Sequence, residues 1–439
     1  MRAAVIMVAG CISCFSQAPS PYQTATSYVQ QSRNDLAIPI LQKLLASTPG
    51  DLRARNLLGI ALMNSGRREE AAVQFRRAWE LDATFYPALK NLALAELALG
   101  RRADSRAHFE QVLKLKPDDA ASHLNLAEMD FADHRYTAAV SHYQRTGGLL
   151  LKDAQTALRA MRAGIAGGNP AASIEIGTQL GESVEVLRLL AQAYEQSGDT
   201  QRAYDALRNA SRLSPTDESI YLDLMALCVE HQTWDLAIQV AEAALSRLPQ
   251  SFRIQVERGA VYALKGDVEA AERDFAKAVQ LAPREVMPRV SLALAQVQLN
   301  RIPEAIAGLR ACRAEHPKDY VVNWILGETL SQTEQANDAI PFLAEAARLG
   351  PRESAPRVLL GKLYARRGDL QAAARELEAA LKIQPDDVTA QYQLATVYRK
   401  SGNLKRADEL FEKVGNARTD SPADDAKRTL QEVIRRSGR

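Results

Sequence analysis

Apolar positions recur along this chain at three- and four-residue spacings, and that helical rhythm is itself repeated every 34 residues. Leu58, Leu62, Phe75 and Ala78 sit on helical faces by their spacing, and Gly259, Tyr262, Phe275 and Ala278 repeat the arrangement further on. One small-residue series runs Ala25, Gly59, Ala93, Ala127, Ala191, Met225, Gly259, Ala293, Gly327, Gly361 and Ala395, with Met225 its single large member. Twelve residues after each stands a second member: Ala37, Ala71, Ser105, Ala139, then Ala203 through Ala407 in steps of 34. A small side chain on each of two antiparallel helices lets their backbones approach closely, so each 34-residue unit is expected to be a helix pair and the chain all-α.

Punctuation keeps the same beat. Prolines fall at 215, 249, 283, 317, 351 and 385, and earlier at 49 and 117. Asn64-Ser65-Gly66, Ser197-Gly198-Asp199, Lys265-Gly266-Asp267 and Arg367-Gly368-Asp369 stand between the two helices of their units, where glycine ends one helix and a polar residue caps the next. Pro87, Pro288 and Pro356 fall in first turns, where proline is tolerated. Pro39 and Pro341 occupy one and the same place inside second helices, and a local kink is expected at each.

The beat fails once. Ala139 and Ala203 are 64 residues apart, four short of two periods, so 154–183 reads as a short degenerate unit rich in glycine (Gly164, Gly167, Gly168, Gly177, Gly181). It separates N-terminal units in 19–153 from C-terminal units in 184–417, about eleven good repeats in all. In 418–439, Ser421-Pro422-Ala423-Asp424 opens a segment whose Ala423, Ala426, Leu430, Val433 and Ile434 form one apolar stripe, as a capping helix requires.

A 34-residue helix-turn-helix with a small-residue pair, an aromatic at Phe75 or Phe275 and a closing proline resembles the tetratricopeptide repeat. The resemblance covers about residues 18–417. It implies a right-handed superhelical solenoid of antiparallel helix pairs, with a concave groove lined mainly by first helices. Laid on that family, Leu222, Val256, Val290, Trp324, Val358 and Tyr392 occupy one place facing or bordering the groove in six successive units. With Met287, Leu294, Val297 and Val321 nearby, an apolar trough for a partner's peptide or helix is expected there, anchored by Trp324 and Tyr392. Packing between adjacent helices accounts for the same series equally well. The corresponding N-terminal residues, Asn56, Lys90, Leu124 and Arg188, are more polar. Lys90, Asn91 and Asn125 echo the carboxylate clamp of some family members, without its full set.

Composition narrows the function. Of 439 residues, 46% are hydrophobic, and 55 basic against 53 acidic side chains leave a net charge of +2, with no basic excess to hold nucleic acid. The six histidines include His108, His123, His134 and His142, none at the i, i+4 spacing of a helical metal site, and they read as surface residues. Gly167-Gly168-Asn169-Pro170 lacks the Lys and Ser/Thr of a phosphate loop. Cys228 and Cys312 stand alone, and no nucleophile, base and orienting group converge. Neither catalysis nor a cofactor or metal is expected.

The first 18 residues differ in character. Arg2, the apolar run Ala3–Phe15 and Ser16-Gln17-Ala18 resemble a secretory signal, and Val8-Ala9-Gly10-Cys11 a lipobox. The expectation is an exported bacterial scaffold, periplasmic or outer-membrane-associated, touching a membrane only through a lipid on Cys11. Without a signal at 1–18 the chain is cytoplasmic. An assembly factor of an envelope or secretion complex is the second expectation.

Overall fold

Helix pairs account for nearly all of the described chain. A computed structural model describes residues 19–415, so the expected signal at 1–18 and capping helix at 418–439 lie outside the described residues. Among the described residues there is no strand. Contacts divide the chain into two units, Met1–Ala206 and Leu207–Arg439.

In the first unit the pairs are α1 (Pro21–Gln30) with α2 (Asn34–Ser47), α3 (Leu52–Asn64) with α4 (Arg68–Leu81), and α5 (Tyr86–Ala98) with α6 (Arg102–Leu115). There follow α7 (Ala120–Ala132) with α8 (Tyr136–Tyr143), α9 (Ala154–Ala166) with α10 (Pro170–Gly177), and α11 (Val184–Gln196). The division falls inside α12 (Thr200–Leu213). The second unit has α13 (Glu218–Glu230) with α14 (Trp234–Arg247), α15 (Phe252–Lys265) with α16 (Val268–Leu281), and α17 (Val286–Gln298) with α18 (Ile302–Glu315). It ends with α19 (Tyr320–Ser331) and α20 (Ile340–Leu349), α21 (Ala355–Arg367) and α22 (Leu370–Ile383), and α23 (Val388–Lys400) and α24 (Leu404–Gly415). Each unit is thus a row of antiparallel pairs, the solenoid architecture expected from the repeat.

Local chemistry explains where helices start and stop. The aspartates that follow the periodic prolines cap first helices: Asp51, Asp119 and Asp387 accept from the amides of Ala54, Ser122 and Ala390, each at 2.9 Å. Between the helices of a pair the chain turns through a left-handed residue. Gly66, Gly100, Gly198, Gly266, Gly368 and Gly402 supply it, and at the same repeat position Ser32, His134, Gln232 and Asn300 adopt φ between 56° and 59° without being glycine.

The close approach within a pair is visible at the first small residue. A Cβ added to Gly259 would meet the Phe275 ring at 2.7 Å, and one added to Gly327 would meet Leu343 at 2.6 Å. Gly59 faces Phe75 and Gly361 faces Leu377 in the same way. Each partner stands sixteen residues further on and is buried, Phe75 and Phe275 at 1% and Leu343 and Leu377 at 0% exposure. Where the first residue is large, the second is small. Met225 is followed sixteen residues on by Ala241, and Met161 by Gly177, whose absent Cβ would lie 2.6 Å from the Met161 methyl. Volume is exchanged across the helix pair, which is how Met225 fits a position otherwise held by glycine or alanine. Where serine replaces the second small residue, its hydroxyl donates across the pair: Ser105 Oγ to the Ala93 carbonyl at 2.8 Å, Ser173 Oγ to that of Met161 at 2.7 Å.

The irregular stretch is now locatable. Ser173 keeps the beat from Ala139, so the four residues are lost after it, in the eight-residue helix α10 and the segment that follows. At Pro341 the expected kink is a break: Ala336–Ala339 form a 3₁₀ turn, and α20 begins at Ile340 with Pro341 in its first turn. At Pro39, by contrast, α2 runs on as one helix. The carbonyl that Pro39 leaves without a donor belongs to exposed Asp35, where water can satisfy it.

Met225→Gly alone is expected to lower the local stability of the α13–α14 pair by about 3–5 kcal/mol. Ala241→Phe alone should overpack it by about 1–3 kcal/mol, while the double replacement should recover about 2 kcal/mol of the sum. Native-state hydrogen exchange in α13 and α14 measures this cycle, and additive losses would show that the two positions do not share one space. Gln232→Gly, which removes a side chain from a left-handed position, should stabilise the same pair by about 1 kcal/mol.

Candidate partner-binding face of the second unit

The first helices of the second unit form one continuous row, since α13, α15, α17, α19, α21 and α23 each pack on the next. Their small residues turn toward the second helices, and the positions left over make the row's outer surface. The structure places the six expected groove residues in three different environments. Val256, Val290 and Val358 are closed into the core at 5%, 0% and 7% exposure. Leu222 and Trp324 are half-buried, Trp324 against the cluster built by Val322, Ile325 and Leu326. Tyr392 is open at 49% exposure, with its ring edge-on to Phe411 at 5.7 Å.

The valines therefore pack between helices, and what a ligand can reach of the series is Leu222, Trp324 and Tyr392. Met287, Leu294, Val297 and Val321, expected to flank the groove, are all half-buried against the same cluster as Trp324. They leave a partly exposed apolar stretch on α17 and α19.

One polar residue on this row was not anticipated. Glu257, on α15, has neither a hydrogen bond nor an ion pair among the described residues, and burial pushes its carboxyl up to about 7. Its neighbours in sequence are engaged elsewhere: Arg258 donates to Asp274 at 2.7 Å, and Gln255 donates to the same carboxylate at 2.5 Å. A single glutamate among apolar positions carries no pattern in the sequence, so only its surroundings reveal it.

The equivalent row of the first unit is polar and satisfies itself. Asn91 Nδ2 donates to Asn56 Oδ1 at 2.9 Å, Lys90 Nζ to Asp119 at 2.9 Å, and Asn125 Nδ2 to the Ala121 carbonyl at 2.8 Å. The residues that echoed a carboxylate clamp are thus already occupied.

The expectation of surface histidines holds for His134, which is exposed, and needs correction for His108, His123 and His142. They were expected at the surface, but His123 is 1% exposed, its Nε2 facing the Pro117 carbonyl and its Nδ1 lying 2.9 Å from Nδ1 of His142. Burial and the neighbouring His123 hold the His142 imidazole below its usual range. His108 Nδ1 lies 2.6 Å from buried Glu96, which Arg76 also approaches. Buried Asp130, one period after Glu96, takes Arg106 and Arg135 at 2.7 Å each. Repeat symmetry turns His108 and His142 toward carboxylates, a contact that spacing along one chain does not display.

Other chemistry is sparse. No group of three His, Cys, Asp or Glu among the described residues could hold a metal ion. Cys228 and Cys312 are buried thiols, and burial raises both above their ordinary range, away from the nucleophilic thiolate. A shallow hollow of about 390 Å³ opens beside the break at Pro341, lined by Arg310, Arg313, Leu326, Asp338 and Phe342. Arg313 already stacks over Phe342 at 4.8 Å and donates to Asn323 at 2.9 Å.

Family models described as tetratricopeptide repeat match residues 22–84, 90–146, 184–227, 229–286 and 364–430. Cellulose synthase operon protein C of Pseudomonas fluorescens is 30% identical over 162 residues, 35% of this chain and 13% of that protein. Protein FlbA of Caulobacter vibrioides is 29% identical over 222 residues, 48% of this chain and 37% of that protein. The chain therefore spans well under half the length of these curated relatives. Among solved structures, yeast Tom70 is 18% identical with a TM-score of 0.43, the match covering 95% of each chain.

Lacking a partner, the ionised Glu257 should strain the fold. Its folded-state pKa of about 7 exceeds the unfolded value, so the folded state holds a proton that unfolding releases. Stability then falls as pH rises from about 4.5 to 8. Glu257→Gln stays neutral, so the variant should match wild type near pH 4.5 and exceed it by about 1–3 kcal/mol at pH 8. Hydrogen exchange in α15 at the two pH values measures the difference, and a variant no more stable at pH 8 would show a solvated carboxylate.

Proposed function

Since this chain belongs to the tetratricopeptide repeat family, we propose that it is a non-catalytic scaffold whose first-helix groove in the second unit holds a peptide or helix of a partner protein. The carrying observation is the half-buried apolar stretch of Met287, Leu294, Val297, Val321 and Trp324, continued by exposed Tyr392, on a row of helices free of internal polar pairing at these positions. Aromatic anchors beside partly exposed aliphatic side chains give large contact area at small entropic loss, the usual make-up of a binding hot spot. The apolar leader at Ala3–Phe15 supports export, with the scaffold working outside the cytoplasm.

A second reading is favoured by a separate observation. Two relatives are named cellulose synthase operon protein C, and Leu81 and Leu115, at one repeat position of the second helices, are 56% and 43% exposed. In that reading the chain is a structural assembly factor that docks through its second-helix face.

Affinity capture from extracts of cells expressing the full chain separates the two. Trp324→Ser with Tyr392→Ser should remove the retained proteins while far-UV helicity persists, and Leu81→Lys with Leu115→Lys should leave them in place. The reverse pattern selects the assembly reading, and loss of helicity in the first variant makes Trp324 and Tyr392 structural.

A further inference from the structure

We propose that the first-helix row of the second unit receives a linear segment of polarised charge, cationic over α13 and α15, apolar in its middle and anionic over α21 and α23. This rests on the partner-binding role above and names the chemistry of the partner.

The charges of the row that have no ion pair are segregated. At its beginning stand Glu230 on α13 and Glu257 on α15. Among the described residues neither Glu230 nor Glu257 has an ion pair. The cations nearby are held: Arg258 by Asp274 at 2.7 Å, Lys265 by Asp235 at 2.6 Å, and Arg253 lies 3.8 Å from Glu218.

In the middle, α17 presents Met287, Leu294 and Val297, and α19 presents Val321 and Trp324. The one cation of α17, Arg289, is bound to Glu315 at 2.9 Å. At the far end the sign reverses. Lys362 and Arg366 on α21 are four residues apart, on one face, and Lys400 closes α23; none of the three has an ion pair among the described residues. Arg357 on the same helix is taken by Glu376 at 3.0 Å.

The unpaired acids Glu230 and Glu257 thus stand at one end of the row and the unpaired bases Lys362, Arg366 and Lys400 at the other. One ligand that spans the row can neutralise both sets. A ligand with the opposite polarity gains attraction at both ends and buries its apolar middle against Trp324, whereas the reversed ligand meets like charge twice. First helices of successive pairs lie roughly 10 Å apart, so α15 to α21 is about 30 Å, which an extended segment of about nine residues crosses at about 3.3 Å each. The fitting partner is a short linear motif with Lys or Arg at one end and Asp, Glu or a terminal carboxylate at the other. The groove reading alone leaves direction open, and this polarity fixes it.

Selection from a random dodecapeptide display library on the full chain, in physiological salt, tests the proposal. Enriched peptides should carry Lys or Arg in one terminal third, Asp or Glu in the opposite third, and apolar residues between. A peptide so selected should lose at least tenfold in affinity to Glu257→Lys and to the pair Lys362→Glu, Arg366→Glu. A chain carrying all three replacements should prefer peptides with the end charges exchanged. Far-UV circular dichroism checks that each variant is folded.

Peptides enriched without charge asymmetry, yet lost when Trp324 and Tyr392 are both changed to Asp, overturn the polarity and leave the groove standing. Enrichment indifferent to Trp324 and Tyr392, or no enrichment at all, overturns the groove with it. Self-association in sedimentation that Glu257→Lys abolishes makes a second copy the occupant and overturns the proposal as well.

Discussion

Close approach of two helix backbones within each pair is the constraint from which the rest of this molecule follows. A helix pair of this size cannot bury its apolar faces alone, so each must supply a flat enough side to be covered by the next. That geometry is set where Gly259 lies under the Phe275 ring and Gly327 under Leu343, with no room for a further carbon. The requirement concerns the sum of the two side chains rather than either one. Met225 with Ala241 and Met161 with Gly177 meet it with the bulk moved to the other helix. A periodic glycine is therefore one solution to a volume condition, and a unit can look degenerate in one residue series while remaining well packed.

The same condition explains how much could be read from residues alone. Pair boundaries were legible because turns, caps and small residues are local: Gly266 needs its positive φ and Asp119 its reach to the Ser122 amide whatever lies beyond. Twelve pairs were expected, and the described residues form twelve, the short one included. Burial at the groove series was not legible to the same degree. Val256, Val290 and Val358 occupy the same register as Trp324 and Tyr392, but valine is short enough to be covered by the neighbouring helix and the aromatics are not. Position in the repeat decides which way a side chain leaves the backbone, and side-chain length decides whether it ends in the core or in water.

Histidines failed for a related reason. His123 and His142 lie on different helices, and their 2.9 Å contact depends on the pairing of α7 with α8. Glu96 and Asp130 show why repeat arithmetic helps here once the pairing is known. They stand one period apart, each buried and each met by an arginine and approached by a histidine, so one solution to a buried carboxylate is used twice. A lone sequence shows those acids as polar residues in apolar helices, and nothing local distinguishes them from surface charges.

The two rows of first helices differ in what their free positions do, and that difference bears on function more than the fold does. Packing constrains the side of each helix that meets its partner and leaves the opposite side open to any composition that keeps the helix soluble. In the first unit that freedom is taken up internally, by Asn56 with Asn91 and Lys90 with Asp119. In the second it is taken up only in part: among the described residues Glu230, Glu257, Lys362, Arg366 and Lys400 have no ion pair, Trp324 is half-buried and Tyr392 is exposed. Isolated charges on a surface cost little, so their presence alone carries no weight. Glu257 is a different matter, because burial raises its carboxyl to about 7 and an uncompensated charge there opposes folding. A group that burdens the free protein is retained most readily where a ligand's cation relieves it, and the apolar stretch beside it indicates where the rest of that ligand lies.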